Sequence, residues 1–258
     1  MALSDVSTPD VAEIAIPSPL PARTDRDGRP ISNLMLLAIP DQEFAVLRPL
    51  LEQVDLPRYR VLYEQGEKIV HAYFLNQGMI SLVVIAKDGR TVEVGIAGRA
   101  GVVGVPLAFG LDDAYSRAIV QLPGNGLRIA ASFLPETFDR CPRLRRMIER
   151  FVLTQQLQVA QIAACNRLHD MDQRLARWLL MCQDTINSGM IPLTHEFIAQ
   201  MLGSGRPTVT IAAGVLERAG LIENTRGNVK IVNRKRLEDA ACECYGAIQN
   251  FDTALALQ

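Results

Sequence analysis

Pro207 constrains this chain more than any other residue, because a proline is tolerated in a helix only within the first turn. It lacks an amide hydrogen, and its ring clashes with the carbonyl four residues back. Residues 191–232, IPLTHEFIAQMLGSGRPTVTIAAGVLERAGLIENTRGNVKIV, divide around it. Thr194 suits an N-cap, and Phe197, Ile198, Met201 and Leu202 follow at helical spacing. Gly203 supplies a tight bend, Ser204 can cap a second helix, and Pro207 fixes where that helix begins. Val209, Ala212, Ala213 and Leu216 then make an apolar stripe, leaving Arg206, Thr208 and Thr210 near the exposed N-terminal end. Residues 221–223 and 228–232 read as two short strands around Arg226-Gly227.

Two helices and a hairpin in that order make a winged helix-turn-helix, whose second helix presents its N-terminal end to base edges in the major groove. The spacing alone also fits a small helical subdomain with an incidental turn. Charge favours the first reading. Between positions 192 and 236 there are seven Lys/Arg against three Glu, a local charge of +4 in a chain whose net charge is −1. Phosphate binding needs a positive face, not a positive protein. The candidate DNA contacts are Thr194, His195, Ser204, Gly205, Arg206, Thr208, Thr210, Arg226 and Lys230, with His195 in the first turn of its helix, where it can meet a phosphate. A module whose helical end contacts another protein and not DNA is the competing expectation.

The chain of 258 residues has room for two ordinary domains, and 48% hydrophobic with 21% charged residues is the composition of a soluble globular protein. Residues 1–32, with Pro17, Pro19, Pro21 and Pro30 closely spaced, are expected to be a disordered tail. They lack the basic start and apolar core of a secretory signal, and no run of about eighteen apolar residues occurs. A cytoplasmic protein without a membrane partner is expected. A short helix over 42–53 precedes strand candidates at 60–63, 72–75, 79–85, 91–96, 116–121 and 126–129, separated by turn signals such as Asp88-Gly89. Short strands at regular spacing predict an antiparallel β-roll of the jelly-roll type over 33–141.

From Pro142 the period becomes helical, and 142–170 predicts one long helix. Met147, Ile148, Phe151, Val152, Leu157, Val159, Ile162, Ala163 and Leu168 fall on more than one side of it, which favours a dimerisation helix over one packed only on its own β-domain. Residues 171–258 form the remaining unit, opening with a helix over 171–183. The fold class is thus α+β. The five cysteines are odd in number and widely spaced, as expected of reduced, buried thiols. Cys242-x-Cys244 is expected to point to opposite sides of a helix and lacks the two-residue spacer of usual metal pairs, so neither a metal nor an iron–sulfur cluster is expected. A redox role for a thiol stays open. Metal catalysis in the β-roll would need several histidines, and 33–141 has His71 alone, so no enzyme is expected.

The order β-roll, long helix, winged helix-turn-helix resembles the Crp/Fnr family of bacterial transcription regulators, from about Asn33 onward. The closest matches are Thr194-His-Glu-Phe-Ile-Ala-Gln-Met-Leu-Gly, then Arg206-Pro-Thr-Val-Thr and Leu216-Glu-Arg-Ala-Gly-Leu-Ile. Tyr73-Phe74, Gly78, Asp88-Gly89, Gly98, Gly101, Gly104 and Ser116-Arg117-Ala118 support them. The resemblance implies a homodimer on a roughly palindromic operator, with RNA polymerase as a further partner. It implies that Arg206 reads guanine, that Ser204, Thr208 and Thr210 add hydrogen bonds, and that Arg226 and Lys230 on the wing hold the backbone. Pro207 and Ile211 stand where the cyclic-AMP receptor has a glutamate and an arginine that help read DNA, so a different operator is expected.

The resemblance also implies a cyclic-nucleotide-binding-like pocket at Gly104, Val105, Ser116, Arg117 and Val159. Arg117, flanked by Ser116, can meet a cyclic phosphate, or it can pair with a local carboxylate. The family's ribose-binding glutamate is missing from Gly104-Val105-Pro106-Leu107, and Val159 and Ala160 offer the purine no side-chain hydrogen bond. An unmatched ribose hydroxyl costs roughly 1–3 kcal/mol. The pocket is therefore degenerate, cyclic AMP is not the expected cofactor, and the effector is left unnamed.

Overall fold

Alternating burial builds the front half of the protein. The structure is a computed structural model that describes residues 20–186 and 188–254. Helices α1 (Leu34–Ala38) and α2 (Asp41–Leu47) lead into strands β1 (Glu52–Leu56), β2 (Val61–Tyr63), β3 (His71–Leu75), β4 (Met79–Ile85), β5 (Thr91–Ala97), β6 (Val102–Val103), β7 (Arg117–Leu122) and β8 (Gly124–Ala130). They pair as two antiparallel four-stranded sheets, ordered β1-β8-β3-β6 and β2-β7-β4-β5. Phe74, Leu75, Ile80, Val120, Leu127 and Ile129 are fully buried in the β-roll core. The expected β-roll is present. The turn before β4 needs Gly78, where φ is 90° and a Cβ would come within 2.7 Å of the Leu122 carbonyl.

Two expectations about this half need correction. The helix foreseen over 42–53 ends at Leu47, followed by a 3₁₀ turn through Pro49, and β1 takes the remainder. Pro49 cannot donate the next helical bond, while Val54 and Leu56 bury alternately as β1 pairs with β8. The foreseen tail fares differently along its length. Residues 1–19 lie outside the described residues, but 20–32 are anchored to the fold by the buried Arg23, Asp25 and Ile31. Arg23 is buried, and its guanidinium donates to the carbonyls of Leu36 and Ile39, both at 2.6 Å, and to Asp41 at 2.8 Å. These carbonyls close the C-terminal end of α1, where intrahelical partners run out. A low-hydrophobicity composition hid a strap held by hydrogen bonds.

After α3 (Leu134–Arg140), α4 (Pro142–Leu168) runs for 27 residues. Its first turn has no cap of its own. Glu43 on α2 serves instead, its buried carboxylate accepting from the amides of Arg143 at 2.9 Å and Leu144 at 3.0 Å. One face of α4 buries Leu144, Met147, Ile148, Phe151, Ile162 and Cys165. Leu153, Leu157, Val159 and Leu168 remain exposed, at 46%, 36%, 40% and 73%.

The rest comprises α5 (Met171–Ile186), β9 (Met190–Ile191), α6 (His195–Leu202), α7 (Arg206–Arg218), β10 (Ile222–Thr225), β11 (Asn228–Ile231), α8 (Arg234–Ala240) and α9 (Cys244–Ala254). These elements share a core with the β-roll: Met79, Val83 and Leu122 pack in one cluster with Trp178, Leu179, Phe197 and Ile198. Thr91 donates its hydroxyl to the Gln200 carbonyl at 3.1 Å, and the rings of Tyr59 and Phe197 stand 5.4 Å apart. At the centre of this seam Glu93 is buried. Trp178 Nε1 donates to one of its oxygens at 2.8 Å, and Ser81 lies 2.5 Å from the other. Ser81 also contacts the Gln121 side-chain oxygen, while the Gln121 amide donates to Cys182 Sγ at 3.3 Å. One hydroxyl proton cannot serve two acceptors, so a protonated Glu93 completes the chain from Glu93 to Ser81 to Gln121. Burial, only partly countered by Ser81, Trp178 and Arg177, raises the Glu93 pKa to about 7.

Candidate nucleic-acid interface

The turn between α6 and α7 decides what α7 can present. Thr194 caps α6, its hydroxyl oxygen accepting from the Phe197 amide at 3.2 Å. Thr194→Ala is expected to cost about 1 kcal/mol of stability, read as a lower urea midpoint at unchanged slope. Gly203 ends α6 in the left-handed region at φ 61°, as its position required. Ser204 does not cap α7. Its amide is tied back to the Ala199 carbonyl at 2.9 Å, and the N-cap is Gly205, which makes no side-chain bond. Arg206 and Pro207 then occupy the first turn, where the missing proline hydrogen costs nothing.

Helix α7 buries Val209, Ala212, Ala213 and Leu216, the expected stripe. Arg206, Pro207, Thr208, Thr210 and Ile211 are exposed, Ile211 at 68%. His195 does more than its sequence position suggested. Its Nδ1 lies 3.1 Å from Thr210 Oγ1, and its Nε2 lies 3.2 Å from Asn224 Oδ1 on β10. It therefore braces α6, α7 and the hairpin together. Asn224 carried no signal in the sequence, because His195 lies 29 positions away.

Strands β10 and β11 pair from Ile222↔Ile231 to Thr225↔Asn228, with Gly227 at φ 80° in the turn. Strand β9, too short to read in the sequence, adds to β11. Arg226 is exposed at the tip, and Lys230 forms a surface pair with Glu223 at 3.2 Å. Arg234 leaves the count of outward basic groups. It binds Asp184 at 2.7 Å and Glu238 at 2.8 Å, with Gln183 and Tyr245 beside them, joining α5, α8 and α9.

The pocket residues are only partly gathered. Arg117 Nε donates to Glu64 at 2.6 Å, taking the local-carboxylate alternative. Gly104 has φ 89°, and its backbone bonds the buried Tyr63, whose strand neighbour is Ala118. Tyr63 thus links the Gly104–Val105 and Ser116–Arg117 segments, and burial pushes its hydroxyl up to about 12. Val159 lies on the exposed side of α4.

The described residues contain one other gathering of ligand-type side chains: Cys165 and His169 at the end of α4, with Cys242 and Cys244. The sequence reading of Cys242-x-Cys244 is overturned here. Helix α8 ends at Ala240 and α9 starts at Cys244, so the pair spans a link and not a helix. Cys165 and His169, four positions apart at a helix end, were the signal that was missed.

A β-roll joined by a long helix to a winged helix-turn-helix defines a DNA-binding transcription regulator. The family model described as the Crp-like helix-turn-helix domain matches residues 173–240. The global nitrogen regulator of Synechocystis sp. is 25% identical over 197 residues, 73% of this chain and 87% of that protein. The CRP-like cAMP-activated global transcriptional regulator of Mycobacterium tuberculosis is 26% identical over 207 residues, 75% of this chain and 89% of that protein. Among solved structures, the c-di-GMP responsive global regulator of Xanthomonas campestris superposes with a TM-score of 0.64 at 16% identity, covering 74% of this chain and 99% of that one. These matches support membership of the Crp/Fnr family of transcription regulators.

Proposed function

We propose that the protein acts as a homodimer on a roughly palindromic operator, each protomer placing the N-terminal end of α7 in the major groove. The observation that carries this is the exposed Arg206-Pro207-Thr208 end of a helix whose opposite stripe is fully buried. Two-fold symmetry places the half-sites about 34 Å apart. Arg206 offers a bidentate fork to guanine O6 and N7, and Thr208 and Ser204 offer hydroxyls. Thr194, Gly205 and Thr210 line the same end, with His195 holding it in place. Ile211 has no buried partner to explain its exposure, and its apolar surface suits a thymine methyl. Arg226 and Lys230 meet phosphates. Leu153, Leu157 and Leu168 on the open side of α4 supply the seam between protomers. The chain works in the cytoplasm, regulates through contact with RNA polymerase, and has no catalytic role.

The input is not cyclic AMP in this reading. The Arg117–Glu64 pair and the absent ribose carboxylate support that, since a phosphate would have to displace Glu64.

The test is binding to the promoter beside its own gene over a range of salt, together with sedimentation of the free protein. A steep loss of affinity with salt and a dimer are expected. Arg226→Ala should flatten the slope of log affinity against log salt by about one per protomer while leaving operator preference intact. A protein that is monomeric at concentrations where it saturates the operator would overturn the two-half-site reading.

A further inference from the structure

The strongest unassigned feature is the gathering at the end of α4. Cys165 Sγ lies 3.4 Å from Cys242 Sγ, and Cys244 Sγ lies 3.6 Å from His169 Nδ1. All four donor atoms fall within 4.8 Å of one another. A tetrahedral zinc ion, with Zn–S of about 2.3 Å and Zn–N of about 2.05 Å, requires S···S near 3.8 Å and S···N near about 3.6 Å. We propose that Cys165, His169, Cys242 and Cys244 form a closed Cys₃His site for zinc(II), tying the end of α4 to the link between α8 and α9.

The surroundings are those of a metal site. Three of the donors are buried thiols, at 0%, 4% and 1% exposure. His169 is oriented from behind: its Nε2 lies 3.1 Å from the Glu243 carboxylate, which leaves Nδ1 directed at the thiols. Metal-binding histidines are held by such a carboxylate, which fixes the tautomer and raises the ligand's basicity. Glu243 sits between the two cysteines of the link, so one short segment supplies two donors and the support for a third. Gln161 Nε2 donates to Cys244 Sγ at 3.1 Å, as an amide does to a coordinated thiolate.

Charge points the same way. Arg177 is only 2% exposed, and among the described residues it forms no salt bridge; the acid within electrostatic reach of it, Glu93, holds its proton up to about pH 7. Among the described residues its Nη1 donates to Met181 Sδ at 3.1 Å, and its Nε has no partner. A buried cation needs a counter-charge. Three thiolates and one zinc(II) carry one net negative charge, and Cys165 lies within electrostatic reach of Arg177. Binding would release three thiol protons to solvent, with no change of oxidation state.

Four protein donors leave no position open, so the ion would be structural and not catalytic. A cluster of several irons needs its thiolates spread around a larger core than 4.8 Å permits. A Cys165–Cys242 disulfide is the competing chemistry, and it would leave Cys244, His169 and Glu243 without a common purpose.

The full chain, freed of metal by chelation under reducing conditions, would be titrated with cobalt(II) and then zinc(II). One cobalt per chain is expected, with intense thiolate-to-cobalt charge transfer and the strong visible bands of a tetrahedral ion, all displaced by one equivalent of zinc. Cys244→Ser should abolish these bands, His169→Cys should keep a tetrahedral spectrum, and Glu243→Gln should weaken zinc binding roughly ten- to a hundred-fold. Cys141→Ser should change nothing. The wild-type titration decides the matter even if a variant fails to fold. Folded, fully reduced wild-type protein that takes up no cobalt, or shows only weak octahedral bands, overturns the proposal. So does recovery of a Cys165–Cys242 disulfide from protein given equimolar zinc.

Discussion

Replacing Arg206 with alanine is expected to lower operator affinity by about 2–6 kcal/mol, roughly thirty-fold to twenty-five-thousand-fold. Each bidentate arginine–guanine pair contributes about 1–3 kcal/mol of discrimination, and the proposed dimer makes two. The half-sites are far enough apart for the two losses to add. Folding should be nearly untouched, within about 0.5 kcal/mol, because Arg206 is exposed in the first turn of α7. The informative quantity is the ratio of operator to random-sequence affinity at one salt concentration. That ratio should collapse, while affinity for random DNA falls only by the loss of one charge per protomer. Equal loss on both DNAs would reduce Arg206 to a phosphate contact and sink the assignment of α7 as the reading helix.

The second large effect concerns Glu93. The folded protein holds this proton up to about pH 7, whereas the unfolded chain releases it near 4.5. Between those values the folded state binds more protons, so this group's contribution to stability falls as pH rises. It is intact below about 4.5 and gone above about 7. The size is about 3 kcal/mol, at 1.4 kcal/mol for each tenfold change in proton activity. Glu93→Gln keeps an acceptor for Trp178 and supplies a permanent donor to Ser81, so it should be insensitive over this range. Urea midpoints at about pH 5 and about pH 8 should therefore show wild type losing about 2–3 kcal/mol relative to the variant. Parallel pH profiles would mean that Glu93 is ionised in the folded protein throughout.

What could be read from the sequence was local. Pro207 and the stripe at Val209, Ala212, Ala213 and Leu216 located α7 because helical spacing and proline sterics act within a few residues. Asp88-Gly89 located the β4–β5 hairpin for the same reason. What could not be read depends on partners distant in the chain. Glu43 caps a helix that begins 99 positions later. Arg23 satisfies the end of α1 from within a stretch whose composition suggested disorder. Among the nine candidate DNA contacts His195 also bonds Thr210 and Asn224, and Lys230 also pairs with Glu223, while the positive count included Arg234, which faces Asp184 and Glu238. Cys242-x-Cys244 was misread because a helix was assumed where two helices meet.

The packing of Met79, Val83 and Leu122 among residues of α5 and α6 has a consequence for how a signal could travel. Close-packed interfaces yield by small sliding movements between discrete arrangements, not by free swinging about a flexible joint. With Thr91 and Val92 set against the end of α6, rotating α7 requires β5 and α6 to slip past each other. The regulator is thus geared for shear: it would melt as one cooperative body, and its reading helices could move only in step with the sheet that carries Glu93.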